Sequence, residues 1–273
     1  MTEKILENGD VLPSPTQHIA ARRMGSVGYL IFNRPERRNA VSVEMWRAIP
    51  PLMQAFNEDP QIRSIVLAGA GEQAFIAGAD IGEFEGERSD AAAAALYEQQ
   101  NSAAYRAIAG SPKSVIAMIH GFCIGGGVAI ALACDMRVAA EGASFAIPAA
   151  RLGLAYPPDA LGLLLHAVGP SRAKLIIHTA RRFTAEEALG MGLIDLLVPR
   201  SALQARVDDL TAAIADNAPL SIAAANACID ALAVPGALDE PARAAIARCF
   251  DSEDYREGRI AFMEKRRPVF HGR

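Results

Sequence analysis

Two buried-strand runs, each closed by a glycine soon after, constrain the fold of this chain more than any other feature. They are residues 62–68 (IRSIVLA) and 115–119 (VIAMI). With 136–139 and 194–198 they form a set of short apolar runs separated by helical segments, the pattern of an α/β core. Upstream, 20–23 and 27–32 flank Met24-Gly25-Ser26, a hairpin signal around a glycine turn. Residues 33–39 (NRPERRN) read as a polar, charged loop, and a helix is expected from about Val43 to Asn57. Thr184-Ala185-Glu186-Glu187 matches a capping box, in which hydroxyl and carboxylate each satisfy an orphan amide. Leu203, Val207, Leu210 and Ile214 recur at helical spacing, as do Ile222, Ala225, Ile229 and Leu232. Strands dominate before about residue 145 and helices after about 200; there is no clear tandem repeat, though strand–strand–helix units recur loosely. The division expected is an irregular arm over 1–17, which carries Pro13, Pro15 and Asn8-Gly9, then an α/β core over 18–200 and a helical region over 201–273.

The second glycine turn carries the chemistry. Residues 121–135 (GFCIGGGVAIALACD) place Gly125, Gly126 and Gly127 at the head of a helix-like stretch without polar side chains. The first turn, 74–81 (AFIAGADI), follows the 62–68 strand. Each turn offers free backbone N–H groups, and two such amides converging on one point form an oxyanion hole. A triple glycine also serves as a tight turn or a close helix contact. Neither a P-loop, which needs lysine and serine or threonine, nor the spacing of a dinucleotide fingerprint is present. From the residues alone the reading stops at an anion site.

Composition removes several function classes. A net charge of −4 without a basic stripe disfavours a nucleic-acid partner. The four cysteines are scattered, with no CxxC or Cys/His cluster, so neither a disulfide framework nor a zinc site is expected. The acidic N-terminal stretch lacks the apolar core of a secretory signal, and the apolar run 128–134 is too short to span a bilayer. A cytoplasmic protein without a membrane partner is the expectation.

Taken together, 74–84 (AFIAGADIGEF) and 119–135 (IHGFCIGGGVAIALACD) resemble the crotonase, or enoyl-CoA hydratase/isomerase, superfamily. The segments 33–42, 111–121, 181–199 and 257–270 extend the likeness in the same order, from about residue 18 to the end. The resemblance implies a ββα spiral core with C-terminal helices that assemble trimers, commonly as a dimer of trimers. It implies an acyl-CoA thioester as substrate, with coenzyme A only as part of it and no metal or redox cofactor. Ala79 and Gly126 match the two oxyanion-hole amides that hold an enolate. Ala77 matches the segment that reads adenine, while Asp80 and Ile81 border the thiol end of the groove. Arg37 and Arg38 stand as phosphate contacts or as a solvated charge cluster. Phe262 and Lys265 match positions that approach the nucleotide from a neighbouring subunit, or are structural.

One departure bears on the reaction. Hydratases of the family add water with two glutamates, at the positions held here by Ala129 and Ala149. Alanine neither accepts a proton nor orients water, and such catalysis is worth about 10²–10⁴-fold. Two-glutamate hydration is therefore not expected; isomerisation, decarboxylation, thioester hydrolysis or acyl-CoA binding without turnover stand as alternatives. Between 120 and 165 the carboxylates are Asp135, Glu141 and Asp159. Asp135 reads as internally paired and Glu141 as a surface turn. Asp159 lies in 156–162 (YPPDALG), which resembles the loop lining the acyl pocket in similar proteins; that resemblance implies it as the candidate acid/base, or else it is a helix N-terminal acid. Tyr156 either donates a proton or walls the pocket. Glu83 and Glu85 read as solvated residues at the entrance.

Overall fold

The computed structural model describes residues 2–83, 91–233 and 240–273. Its centre is two sheets fed in turn by the same chain. Strands β1 (Asp10–Leu12), β2 (Ile19–Met24), β3 (Val27–Phe32), β4 (Ser64–Gly69), β6 (Ser114–Ile119), β8 (Met136–Ala140) and β11 (Leu196–Val198) form a seven-stranded sheet in the order β1-β2-β3-β4-β6-β8-β11. Strands β5 (Ala74–Ile76), β7 (Phe122–Ile124), β9 (Ser144–Ala146) and β10 (Phe183–Thr184) form the smaller one, ordered β10-β9-β7-β5. The pairs β4–β5, β6–β7 and β8–β9 each leave one strand in each sheet. A helix follows each pair: α3 (Ala91–Ala109), α4 (Gly126–Ala133) and α5 (Pro158–Thr179). The loosely repeated strand–strand–helix unit is thus a ββα spiral, and its neighbouring strands run parallel.

The apolar strand runs have a direct cause. Along β4 and β6, Ile65, Leu67, Val115 and Ala117 face one core, which also holds Trp46, Phe75 and Phe145. Their neighbours Val66, Ala68, Ile116 and Met118 face a second core, closed by Ile5, Leu203 and Val207. A sheet covered on both faces needs apolar residues at every position rather than alternation.

Helix α2 (Val43–Glu58) begins as expected and stays helical through Pro50 and Pro51. The hairpin turn is closed by Gly25 in the left-handed region, φ 57°. The arm is not wholly irregular. It contains helix α1 (Glu3–Asn8), and β1 pairs antiparallel with β2, so local turn residues gave way to an available sheet edge. Helix α6 (Ala185–Met191) carries the complete capping box. Helix α5 is broken at Gly169 (φ 75°, ψ 169°) before Pro170, although by length and composition alone it is apolar enough to cross a membrane. Helices α7 (Leu203–Ala215), α8 (Pro219–Ala233), α9 (Glu240–Phe250) and α10 (Glu253–Glu264) complete the chain. Of the two helical faces read from the sequence, Leu203 and Val207 are buried, whereas Ile229 and Leu232 are more than half exposed.

Candidate active site

The glycine turns after β5 and β7 meet at the head of α4. Ala79 is bracketed by two bonds to Val41: Val41 N–H donates to the Gly78 carbonyl (2.8 Å), and Asp80 N–H to the Val41 carbonyl (3.0 Å). In this parallel bridge the neighbours of Ala79 bond Val41, so its own N–H points to the other side. There lies Gly126, the first residue of α4. A Cβ built on Gly126 would stand 3.9 Å from the Ala79 nitrogen and 3.1 Å from Trp46 Cζ2. Glycine is needed here for close approach to the Trp46 ring. Among the described residues neither the Ala79 nor the Gly126 amide donates a backbone hydrogen bond outside helices and strands. As the opening amide of α4, Gly126 N–H also has no partner within its helix.

The loop before α2 secures this arrangement through residues that the sequence marked only as charged or polar. Asn39 is fully buried at φ 57°, a conformation that asparagine tolerates better than most residues. Its amide donates to the carbonyls of Ala70 (3.0 Å) and Ala74 (2.8 Å), and its oxygen accepts from Arg34 N–H (3.0 Å). Arg34 also pairs with Asp80 at 3.0 Å, both side chains being mostly buried. Glu83 is not simply solvated, because its carboxylate accepts Val43 N–H (2.8 Å) and closes the N-terminus of α2. Glu85 lies outside the described residues, as does the side chain of Ile81.

An apolar cavity opens beside the two turns. Ala77, Gly78, Ala79, Gly125, Gly126 and Tyr156 line it, with Trp46, Asn101, Tyr105 and Ala149. Among the described residues its lining contains no aspartate, glutamate, histidine, lysine or cysteine. Tyr156 donates from its hydroxyl to the Gly125 carbonyl at 3.0 Å. Burial, with Tyr105 nearby, holds that phenol well above its ordinary range, so it stays protonated. Ala129 is fully buried within α4 and lies outside the lining.

Several sequence candidates stand apart from this cavity. Asp159 occupies the first turn of α5, is exposed, and faces Arg106 at 3.7 Å. Arg37 is exposed; Arg38 packs 5.5 Å from the centre of the Phe122 ring and bonds Gln73. Phe262 lines a separate groove with Phe270, and Lys265 ends α10 in the left-handed region. Asp135 is internally paired, as the sequence implied, accepting Val115 N–H at 2.7 Å. Burial drives the thiols of Cys123 and Cys134 far above the usual range, which removes them as nucleophiles. Among the described residues no three His, Cys, Asp or Glu side chains gather to hold a metal.

Residues 22–273 match the family model of enoyl-CoA hydratase/isomerase. The chain belongs to the enoyl-CoA hydratase/isomerase family. Crotonyl-CoA hydratase of Syntrophomonas wolfei is 30% identical over 260 residues, spanning 93% of this chain and 98% of that one. Carnitinyl-CoA dehydratase of Proteus mirabilis is 34% identical, spanning 95% and 100%. The crystal structure of an enoyl-CoA hydratase/carnithine racemase from Magnetospirillum magneticum superposes with a TM-score of 0.91 at 33% identity, over 95% and 97% of the two chains. The chain is accordingly an acyl-CoA enzyme of the enoyl-CoA hydratase/isomerase family with a crotonase fold.

Proposed function

We propose that the protein polarises an acyl-CoA thioester between the amides of Ala79 and Gly126 and stabilises the enolate that results. The observation carrying this reading is the meeting of those two turns in a cavity whose lining, among the described residues, holds no charged side chain. As negative charge develops on the thioester oxygen, two preorganised N–H dipoles in an apolar wall oppose it, an effect worth several kcal/mol. Ala77, Asp80 and Ile81 follow the same turn and would border the coenzyme A chain. Arg37, with its exposed guanidinium, is the freer of the two arginines for a phosphate. Uncovered apolar residues on α8 to α10, Leu232 and Phe262 among them, support a trimer or dimer of trimers. In that assembly Phe262 and Lys265 would be carried towards a neighbour.

The lining also bears on the kind of reaction. Hydration by two glutamates has no acid/base pair here, since Ala149 is in the wall and Ala129 behind it. A route that makes the enolate without a protein base fits this lining better. In a decarboxylation the bond to the β-carboxylate breaks and its electron pair enters the enolate. Carbon dioxide then leaves, and solvent returns a proton to Cα. Asp159, held beside Arg106 outside the cavity lining, has in this reading an electrostatic part at the α5 N-terminus.

Purified protein mixed separately with crotonyl-CoA and malonyl-CoA tests this, with loss of enoyl absorbance and release of carbon dioxide as readouts. Decarboxylation within about threefold of the parent in Asp159→Ala is the expected result. A collapse of crotonyl-CoA hydration in that variant would instead make Asp159 the acid/base group. Binding of both esters without turnover would favour the non-catalytic member.

A further inference from the structure

We infer that Tyr156 is a positioning residue for the oxyanion hole, acting through the Gly125–Gly126 peptide; the inference rests on the thioester reading above. The Gly125 carbonyl and the Gly126 N–H belong to one planar trans unit, so fixing the oxygen fixes the direction of the amide hydrogen. This peptide needs fixing. Gly125 sits at φ 53°, ψ −113°, a region open essentially to glycine, and the unit is flanked by glycine on both sides. Rotation of the unit would turn a carbonyl towards the space where the thioester oxygen belongs.

Three donors hold the Gly125 oxygen. Two are the backbone amides of Val128 (3.0 Å) and Ala129 (3.3 Å) in the first turn of α4, and the third is the Tyr156 hydroxyl (3.0 Å). Among the described residues, Tyr156 is the one side chain on that oxygen. It reaches there from the loop before α5, so the cradle is tied to a second segment of the cavity lining. A hydrogen bond to the carbonyl also withdraws electron density through the peptide and strengthens the donation of Gly126 N–H. A partly buried phenol that stays protonated supplies this bond throughout the neutral range; it neither accepts nor releases a proton.

The test is the absorbance of bound cinnamoyl-CoA, whose conjugated carbonyl shifts to the red as it is polarised. In Tyr156→Phe the ester is expected to bind within about threefold of the parent while losing about half of the red shift. Incorporating 3,5-difluorotyrosine at position 156 keeps the shape and strengthens the donor, so the shift should be kept or enlarged; this arm decides if the phenylalanine variant does not fold. A full red shift in Tyr156→Phe, or a fluorinated protein that behaves as one lacking the hydroxyl, overturns the inference. Failure of the parent protein to bind cinnamoyl-CoA, or binding without any red shift, overturns the thioester reading itself and this inference with it.

Discussion

At the scale of single residues, the proposed site is backbone chemistry supported by side chains that do not react. In that proposal Ala79 and Gly126 contribute N–H groups, and side-chain identity matters at each only through space. Gly126 has almost none, because an added Cβ would press on Trp46 at 3.1 Å. Trp46 is itself fixed, its indole donating to the Tyr97 hydroxyl at 2.9 Å and its ring set edge-on to Tyr105. Gly126→Ala should therefore displace the amide rather than the indole. We expect a loss of about 10²–10³-fold in turnover of whichever thioester the protein consumes, the range for losing one oxyanion donor. Stability should fall by only about 1–3 kcal/mol, the usual cost of overpacking. Steady-state kinetics beside thermal unfolding separate the two effects.

At the scale of elements, helix ends decide how firmly the turns are held. The N-terminus of α2 receives its acceptor from Glu83, twenty-five residues beyond the other end of that helix, while the buried Ser42 hydroxyl has no partner among the described residues. Glu83 thus ties the segment after Ala79 back to the helix that carries Trp46. Helix α6 solves the same problem locally, with Thr184 and Glu187 exchanging bonds at 3.2 and 2.9 Å. Removing either acceptor leaves helix amides unpaired at a cost of about 1 kcal/mol. Thr184→Ala should lower the melting temperature by about 2–4 °C and leave thioester binding alone. Glu83→Ala should lower it similarly and also weaken thioester binding, because only its bond ends beside the cradle. Calorimetry with a titration of butyryl-CoA distinguishes the pair.

Across the whole molecule, the two-sided sheet sets a pH limit. His120 follows β6 and is fully buried. Burial first, and the Arg200 charge second, lower its pKa from 6.5 to about 4. The folded state holds a neutral ring that the unfolded chain would protonate. Its stabilising contribution is therefore complete above about pH 6.5 and is lost as pH falls towards 4. Between pH 6.5 and 5 the loss should be about 2 kcal/mol, and His120→Gln should flatten that part of the denaturation profile. The same tertiary enclosure explains what could be read in advance and what could not. The apolar runs closed by glycine, the hairpin and the capping box were legible because each is a local rule: strand and helix periodicity, glycine at positive φ, reciprocal capping. The order of motifs carried the family as well. Missed were Trp46, Asn39, Arg34 and the use of Glu83, whose partners lie between 5 and 51 residues away in sequence. Apart from the Arg34–Asn39 bond within the 33–39 loop, no short window contains such a pair. Asp159 shows the converse, since its loop is recognisable but only the packing of α3 against α5 places it beside Arg106 and outside the cavity lining. The sequence by itself determined a ββα chain with two amide-rich turns. Tertiary structure alone decided that they converge, which side chains hold them there, and that among the described residues the wall around them carries no charge, because each depends on distances set when two sheets and a buried helix close together.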